Sequence, residues 1–248
     1  MRCKKCGFGF TKNFINKPGD YHRDETYIKE EELFKNIFSK RVNIIGRFLK
    51  TGKALEIGCS TGLLLSLLKQ KGWDVKGVEI STKAAEIAKK RGLTIYTTPF
   101  EQLKINEKFD LIILNHALEH LNDPYLILEK INKLLTPRGM LFLDLPNFGS
   151  LSAKIYGQNW PMLLPDEHRW HFNLESLSIL FKSCGFKIEF VERASGVWDL
   201  ANPAEEIWQS LLNFKKRFFV ELITMIPSYL LTKLSMGTGL TVMAKKQI

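Results

Sequence analysis

The run Lys53-Ala54-Leu55-Glu56-Ile57-Gly58-Cys59-Ser60-Thr61-Gly62 constrains this chain most, because a buried strand passes directly into a glycine turn and then into an apolar helix. Twenty-one residues after Gly58 stands Glu79, which closes Trp73-Asp74-Val75-Lys76-Gly77-Val78. A strand, a glycine turn, a helix and a second strand with a terminal carboxylate form one half of a doubly wound nucleotide-binding sheet. In that arrangement the carboxylate accepts hydrogen bonds from both ribose hydroxyls. The turn reads Gly-Cys-Ser-Thr-Gly, so serine stands where a dinucleotide pyrophosphate would need glycine to approach the backbone. A ligand with a ribose and no pyrophosphate fits better, and a nicotinamide dehydrogenase is the weakest reading.

Hydrophobic period and punctuation extend the α/β pattern along the chain. Glu30 to Leu49 places Leu33, Phe34, Ile37, Phe38, Val42, Ile45 and Phe48 at helical spacing and stops at Thr51-Gly52. Strands are expected over 54–57, 75–79, 93–97, 111–114, 140–145, 186–192 and 238–245. Between them the helices span 63–71, the stretch from Ser81 to Arg91, Asp123-Pro124 to about Leu135, and 174–183 behind Asn173. Ser81, Asp123 and Asn173 are N-cap residues, and Pro124 occupies the first helical position, where its missing N–H costs nothing. The expected fold class is α/β, a doubly wound, seven-stranded, mostly parallel sheet. It forms one domain over 21–248, with a helical insert at about 202–236 before the last strand.

These motifs resemble the class I S-adenosylmethionine-dependent methyltransferases. In that family an acid precedes a Gly-x-x-x-Gly turn, as Glu56 precedes Gly58 to Gly62, and a second acid ends the next strand, as Glu79 does. Phe109-Asp110-Leu111-Ile112-Ile113-Leu114-Asn115-His116-Ala117-Leu118-Glu119-His120-Leu121 looks like the family's fourth strand and loop, and Leu134-Leu135-Thr136-Pro137-Arg138-Gly139-Met140 like the turn into the fifth. Roughly residues 40 to 195 follow the family in order. The resemblance implies a Rossmann-like methyltransferase fold with S-adenosylmethionine as cofactor and S-adenosylhomocysteine as product. It places Glu56 at the methionine amino group and Gly58, Cys59, Ser60 and Gly62 in the cofactor turn. Glu79 falls on the ribose, Ile80 and Phe100 on the adenine, and Asn115 beside the methionine part.

Composition is that of an ordinary globular domain. Net charge is +10, from 36 basic and 26 acidic residues, which favours an anionic partner without choosing among them. The lysines are scattered as solvated faces usually are, and no stacking platform or basic stripe points to nucleic acid. The polar start lacks the apolar core of a signal peptide, so a cytoplasmic location is expected. Cys59 and Cys184 read as small packing residues. Cys3-Lys4-Lys5-Cys6-Gly7 is half of a zinc ribbon, since tetrahedral zinc needs four ligands and this knuckle supplies two. Residues 1–20 therefore read as a ribbon remnant without metal.

The insert carries Trp208, Leu211, Phe214, Phe218, Phe219, Leu222, Ile223 and Ile226, then Pro227 and a second apolar turn through Leu234. Glu221, Pro227 and Lys233 interrupt it, so it is a poor membrane span. A helix pair that covers the substrate site or forms a homodimer contact is one reading, and a membrane-surface contact through Lys215, Lys216 and Arg217 is the other.

For chemistry, methyl transfer from a sulfonium is an in-line displacement, and a hydroxyl acceptor must also lose a proton. His168, in Asp166-Glu167-His168-Arg169-Trp170-His171-Phe172, and His120 are the candidate catalytic residues. His116, Glu119 and His120 could hold a metal facially, as two acids and a histidine do in the ubiquinone-pathway O-methyltransferases that this segment resembles. The alternative, preferred here, is that they brace the loop and that no metal is bound. The expected activity is methylation of a small-molecule, sugar or lipid-linked acceptor, with O-methylation favoured. An RNA methyltransferase and a non-catalytic S-adenosylmethionine-binding protein are the rivals.

Overall fold

The computed structural model describes residues 1, 3, 4, 7–12, 14 and 23–247. After a two-residue strand β1 (Gly9–Phe10) come helices α1 (Arg23–Lys29) and α2 (Glu31–Phe48). The first half of the sheet follows as β2 (Lys53–Ile57), α3 (Leu63–Gln70), β3 (Asp74–Val78), α4 (Thr82–Lys90) and β4 (Thr94–Tyr96). Ser81 caps α4 by accepting a hydrogen bond from the Ala84 amide at 3.3 Å. Next are β5 (Phe109–Asn115), α5 (Pro124–Leu134) and β6 (Leu135–Pro146). Asp123 caps α5, its carboxylate accepting from the Tyr125 and Leu126 amides at 2.9 and 3.1 Å. The chain continues through α6 (Leu151–Tyr156), β7 (Trp170–His171), α7 (Leu174–Ser183) and β8 (Phe186–Glu192). It closes with α8 (Pro203–Leu212), α9 (Arg217–Lys233) and β9 (Gly239–Lys246).

Seven strands form one sheet in the order β4-β3-β2-β5-β6-β9-β8. The pairs from β4 to β6 are parallel, and β9 runs antiparallel between β6 and β8. Leu111, Ile112, Ile113 and Leu114 are fully buried, as a parallel strand covered on both faces requires. Chain order reverses where β2 lies between β3 and β5. Ligands of doubly wound sheets bind at such a switch point, beyond the carboxyl ends of the strands.

Buried Arg41 fastens α2 across this sheet. Its Nε donates to Asp144 Oδ2 at 2.7 Å, and its Nη1 and Nη2 reach the Asp199 carboxylate at 2.9 and 2.8 Å. Thr241 donates to the other Asp144 oxygen at 2.9 Å. The buried charge is therefore fully hydrogen-bonded, the condition under which such a pair is tolerated.

Three features depart from the sequence reading. Strand β6 begins at Leu135 instead of Met140, because the ladder slips between Phe109 and Leu111 and absorbs the Thr136-Pro137-Arg138-Gly139 turn. The insert breaks at 213–216, where Phe214 takes φ 49°, whereas Pro227 lies inside α9. The segment containing Cys3 pairs β1 with β7, Gly9 opposite His171. A Cβ at Gly9 would lie 2.8 Å from the Phe148 ring, so only glycine passes there. Cys6, and with it the zinc question, lies outside the described residues.

Candidate functional site

The carboxyl ends of β2, β3 and β5 open into a cavity of about 420 Å³. Gly58 begins the turn at φ 74°, in the left-handed region that favours glycine. Its amide and that of Cys59 both donate to the Val78 carbonyl, at 2.8 and 3.1 Å, which ties the turn to the end of β3. There the Glu79 carboxylate is held from both sides. Oε2 accepts from the Ser60 amide at 2.8 Å and Oε1 from the Ser81 amide at 2.7 Å. Ser60 adopts φ 44°, a strained conformation for a residue with a side chain; that conformation accompanies the aim of its amide at Glu79.

Behind the turn, Glu56, Cys59, Ser60 and Asn115 border a smaller recess of about 20 Å³. Glu56 Oε2 and Asn115 Oδ1 are buried and, among the described residues, have no hydrogen-bond partner. Buried polar atoms are nearly always paired, so two acceptors around one recess call for a donor from beyond the described residues. Burial, and after it the charge of Glu79, raises the Glu56 carboxyl well above the usual carboxylate range. Among the described residues, no cationic donor reaches either acceptor.

Ile80 is 46% exposed beside Glu79, and buried Phe100 borders the cavity with it. Lys130 fixes the Phe100 loop: its Nζ donates to the carbonyls of Phe100 and Leu103 at 2.5 and 2.7 Å and sits 4.7 Å from the Phe100 ring centroid. These two apolar side chains suit a flat heteroaromatic ring.

The loop after β5 supplies a wall of imidazoles. His116, at φ 51°, and His120 both border the cavity. His120 Nδ1 lies 2.9 Å from the Glu167 carbonyl, which can only accept, so this nitrogen carries the hydrogen. In the neutral ring Nε2 then holds the lone pair. Glu119 is buried beneath the two histidines, with Oε1 3.4 Å from His116 Nδ1 and 4.0 Å from His168 Nε2. Burial pushes its carboxyl up, but close His116 and the charges of His120 and His168 outweigh this and hold it at about 2. His168 Nδ1 lies 2.9 Å from the Met162 carbonyl and its ring packs edge-on to His120 at 4.8 Å. The Arg169 amide donates to the Glu119 carbonyl at 3.0 Å. These bonds brace the 116–121 loop against 162–169.

Of the residues singled out from sequence, Gly58, Ser60, Glu79, Ile80, Phe100, Asn115 and His120 border the main cavity. Glu56 and Cys59 border the recess. Cys59 is a packing residue there, because a Cβ on Gly77 would lie 2.5 Å from its sulfur, and burial raises its thiol well above the usual value. Gly62 and His168 border neither space. Gly62 lets α3 approach α4, since a Cβ on it would overlap Leu93 and lie 3.0 Å from that of Ala88. His168 is 1% exposed and sits behind Glu119. The described residues that gather three metal-ligating atoms within 4.8 Å are Glu119, His120 and His168, with His168 where the sequence reading had His116. Tyr27, Gln102 and Glu167 also line the cavity and were missed. Tyr27 packs tilted against Phe34 at 4.2 Å; the one available signal was a lone aromatic in a mostly polar short helix.

The sequence profile of a family described as a methyltransferase domain matches residues 30–190. A ubiquinone biosynthesis O-methyltransferase of Haemophilus ducreyi is 35% identical over 126 residues, which are 46% of this chain and 51% of that one. The chain thus spans about half the length of that relative. A crystal structure of a methyltransferase from Archaeoglobus fulgidus superposes with a TM-score of 0.60 at 20% identity, covering 92% of this chain and 100% of that one. A Haemonchus contortus phosphoethanolamine N-methyltransferase, solved with S-adenosylhomocysteine, gives 0.62 at 20% identity over 91% of this chain and 59% of that one. At these identities the likeness is one of fold.

Proposed function

The chain belongs to the methyltransferase-domain family of S-adenosylmethionine-dependent enzymes, and from that premise we propose that it methylates a hydroxyl of a small-molecule, sugar or lipid-linked acceptor. When bound, S-adenosylmethionine supplies an electrophilic methyl carbon on a sulfonium. The residues of the chain position and deprotonate. Glu79, preset by two backbone amides, turns its remaining lone pairs to the ribose hydroxyls. Ile80 and Phe100 enclose the adenine. Glu56 Oε2 and Asn115 Oδ1 would accept hydrogen bonds from the methionine ammonium.

The observation that carries the hydroxyl reading is His120 on the same cavity as Glu79, with Nδ1 committed to the Glu167 carbonyl. Its Nε2 is the base that receives the hydroxyl proton. Glu119 stabilises the imidazolium that results, and His168, one layer deeper, is a positioning residue. The name of the Haemophilus ducreyi relative supports O-methylation in the same direction.

The test is transfer of labelled methyl from S-adenosylmethionine to a panel of phenols, catechols and sugars, with RNA as a control. Product on a hydroxyl, lost in His120→Ala while cofactor affinity is kept, is the expected result. Label on RNA alone, or cofactor binding with no transfer to any acceptor, would contradict it in favour of the RNA enzyme or the non-catalytic binder.

A further inference from the structure

Helix α9 is amphipathic with its polar stripe turned inward. Arg217, Glu221, Ser228 and Thr232 recur at helical spacing on the side that meets the rest of the chain. Arg217 pairs with Glu30 at 2.7 Å, with Glu206, and with Glu221 at 3.4 Å. Ser228 is the buried residue of the helix and packs against Gly196, where an added Cβ would lie 3.3 Å away. Thr232 accepts from the Ser195 amide at 3.1 Å. The outward stripe is apolar: Phe219, Ile223, Ile226 and Leu230 are 67%, 74%, 66% and 53% exposed. Phe214, at the tip of the α8–α9 turn, is 93% exposed, and Trp208 on α8 is 55% exposed.

Folding of this chain alone gives no reason for that orientation, since exposed apolar faces of this extent mark contact surfaces. Among the described residues, none of those lining the cavity comes from 202–236. The charges indicate what the surface meets. From α8 through α9 the chain carries Lys215, Lys216, Arg217 and Lys233 against Glu205, Glu206 and Glu221, and the turn and α9 themselves hold Glu221 as their acid. Arg217 is matched by its three carboxylates, which leaves three lysines around the apolar face. A second copy would set those lysines against each other, whereas an anionic surface attracts them. Among the described residues no helix is long and apolar enough to cross a membrane. A 17-residue amphipathic helix with flanking lysines matches a helix lying in the plane of the lipid interface.

We propose that the α8–α9 insert seats the protein on an anionic phospholipid bilayer, with Phe214 and the outward face of α9 entering the headgroup boundary and Lys215, Lys216 and Lys233 meeting lipid phosphates. The test is co-sedimentation of the full chain with phosphatidylcholine vesicles that contain phosphatidylglycerol, against phosphatidylcholine alone. Phe219→Glu with Ile223→Glu changes only outward side chains, and a retained melting midpoint would confirm folding. Lys215→Glu with Lys216→Glu is a second variant that leaves the apolar face intact. Binding to the anionic vesicles is expected, weakened at least ~tenfold by either double variant. Three outcomes would overturn the proposal: no binding of the wild-type chain to the anionic vesicles, equal binding by both variants, or a dimer that Ile223→Glu dissolves in a protein that ignores vesicles. Vesicle binding needs neither cofactor nor acceptor, so its failure is separable from failure of the methyl-transfer reading.

Discussion

On the side of the cavity formed by β2 and β3, Glu79 owes its position to the backbone amides of Ser60 and Ser81. On the side formed by the loop after β5, His116, Glu119, His120 and His168 hold one another and are pinned by carbonyls, including that of Glu167, 47 residues from His120. Backbone amides neither titrate nor vary with side-chain identity, so Glu79 is held in a fixed position, while Glu56 on the same side is a carboxyl that burial raises above its ordinary range. The second wall is a cluster of titratable groups, suited to moving a proton and sensitive to pH. Cofactor binding and proton transfer should therefore separate under mutation of the second wall.

The largest expected effect is on turnover. His120→Ala should lower kcat by about 10²–10⁴ while leaving the dissociation constant for S-adenosylhomocysteine unchanged; a parallel loss of both would mean that the walls are not independent. Acid should act next, on stability. Burial lowers buried His171 to about 4, so between pH 6.5 and 4 the unfolded chain binds the extra proton. The stability due to a neutral His171 is fully present above 6.5 and lost as pH falls toward 4, by ~3 kcal/mol at most. Glu119, held at about 2, adds a loss of the same sign below the ordinary carboxylate range. Urea unfolding at pH 7 and pH 4 measures this, and His171→Gln should flatten the slope. An acid-insensitive wild type would contradict the neutral, buried state of His171.

How legible each wall was in the sequence follows from the same contrast. Glu56, Gly58, Glu79 and Asn115 stand at strand ends, where period and glycine turns place a residue to within a position or two. The Asn173 cap and the 174–183 helix fell where read for the same reason. The histidine cluster joins segments far apart in the chain. Depth cannot be read from Asp166-Glu167-His168, so the burial of His168 behind Glu119 was hidden, as was the contact of Tyr27 with the cavity. The Arg41 network was equally hidden, since nothing local marks Asp144 and Asp199 as its partners. Inside α9, spacing announced an apolar stripe but not that the stripe faces outward.

Two smaller effects sharpen the comparison further. Glu56→Gln should weaken binding of S-adenosylmethionine, read by calorimetry, because Glu56 Oε2 is one of the two buried acceptors proposed for the methionine ammonium. Chelation by EDTA should leave turnover unchanged if His116, Glu119 and His120 only brace their loop. A loss restored by a divalent cation would instead assign the Glu119, His120 and His168 cluster a metal.

The most direct measurement of the central claim is calorimetric titration of S-adenosylmethionine and S-adenosylhomocysteine into the wild-type chain and Glu79→Ala. Binding of both ligands by the wild type, weakened by roughly 1.5 to 3 kcal/mol in the variant, is the predicted result. Equal affinity in the two proteins, or no binding by the wild type, would contradict the assignment of this cavity to the cofactor.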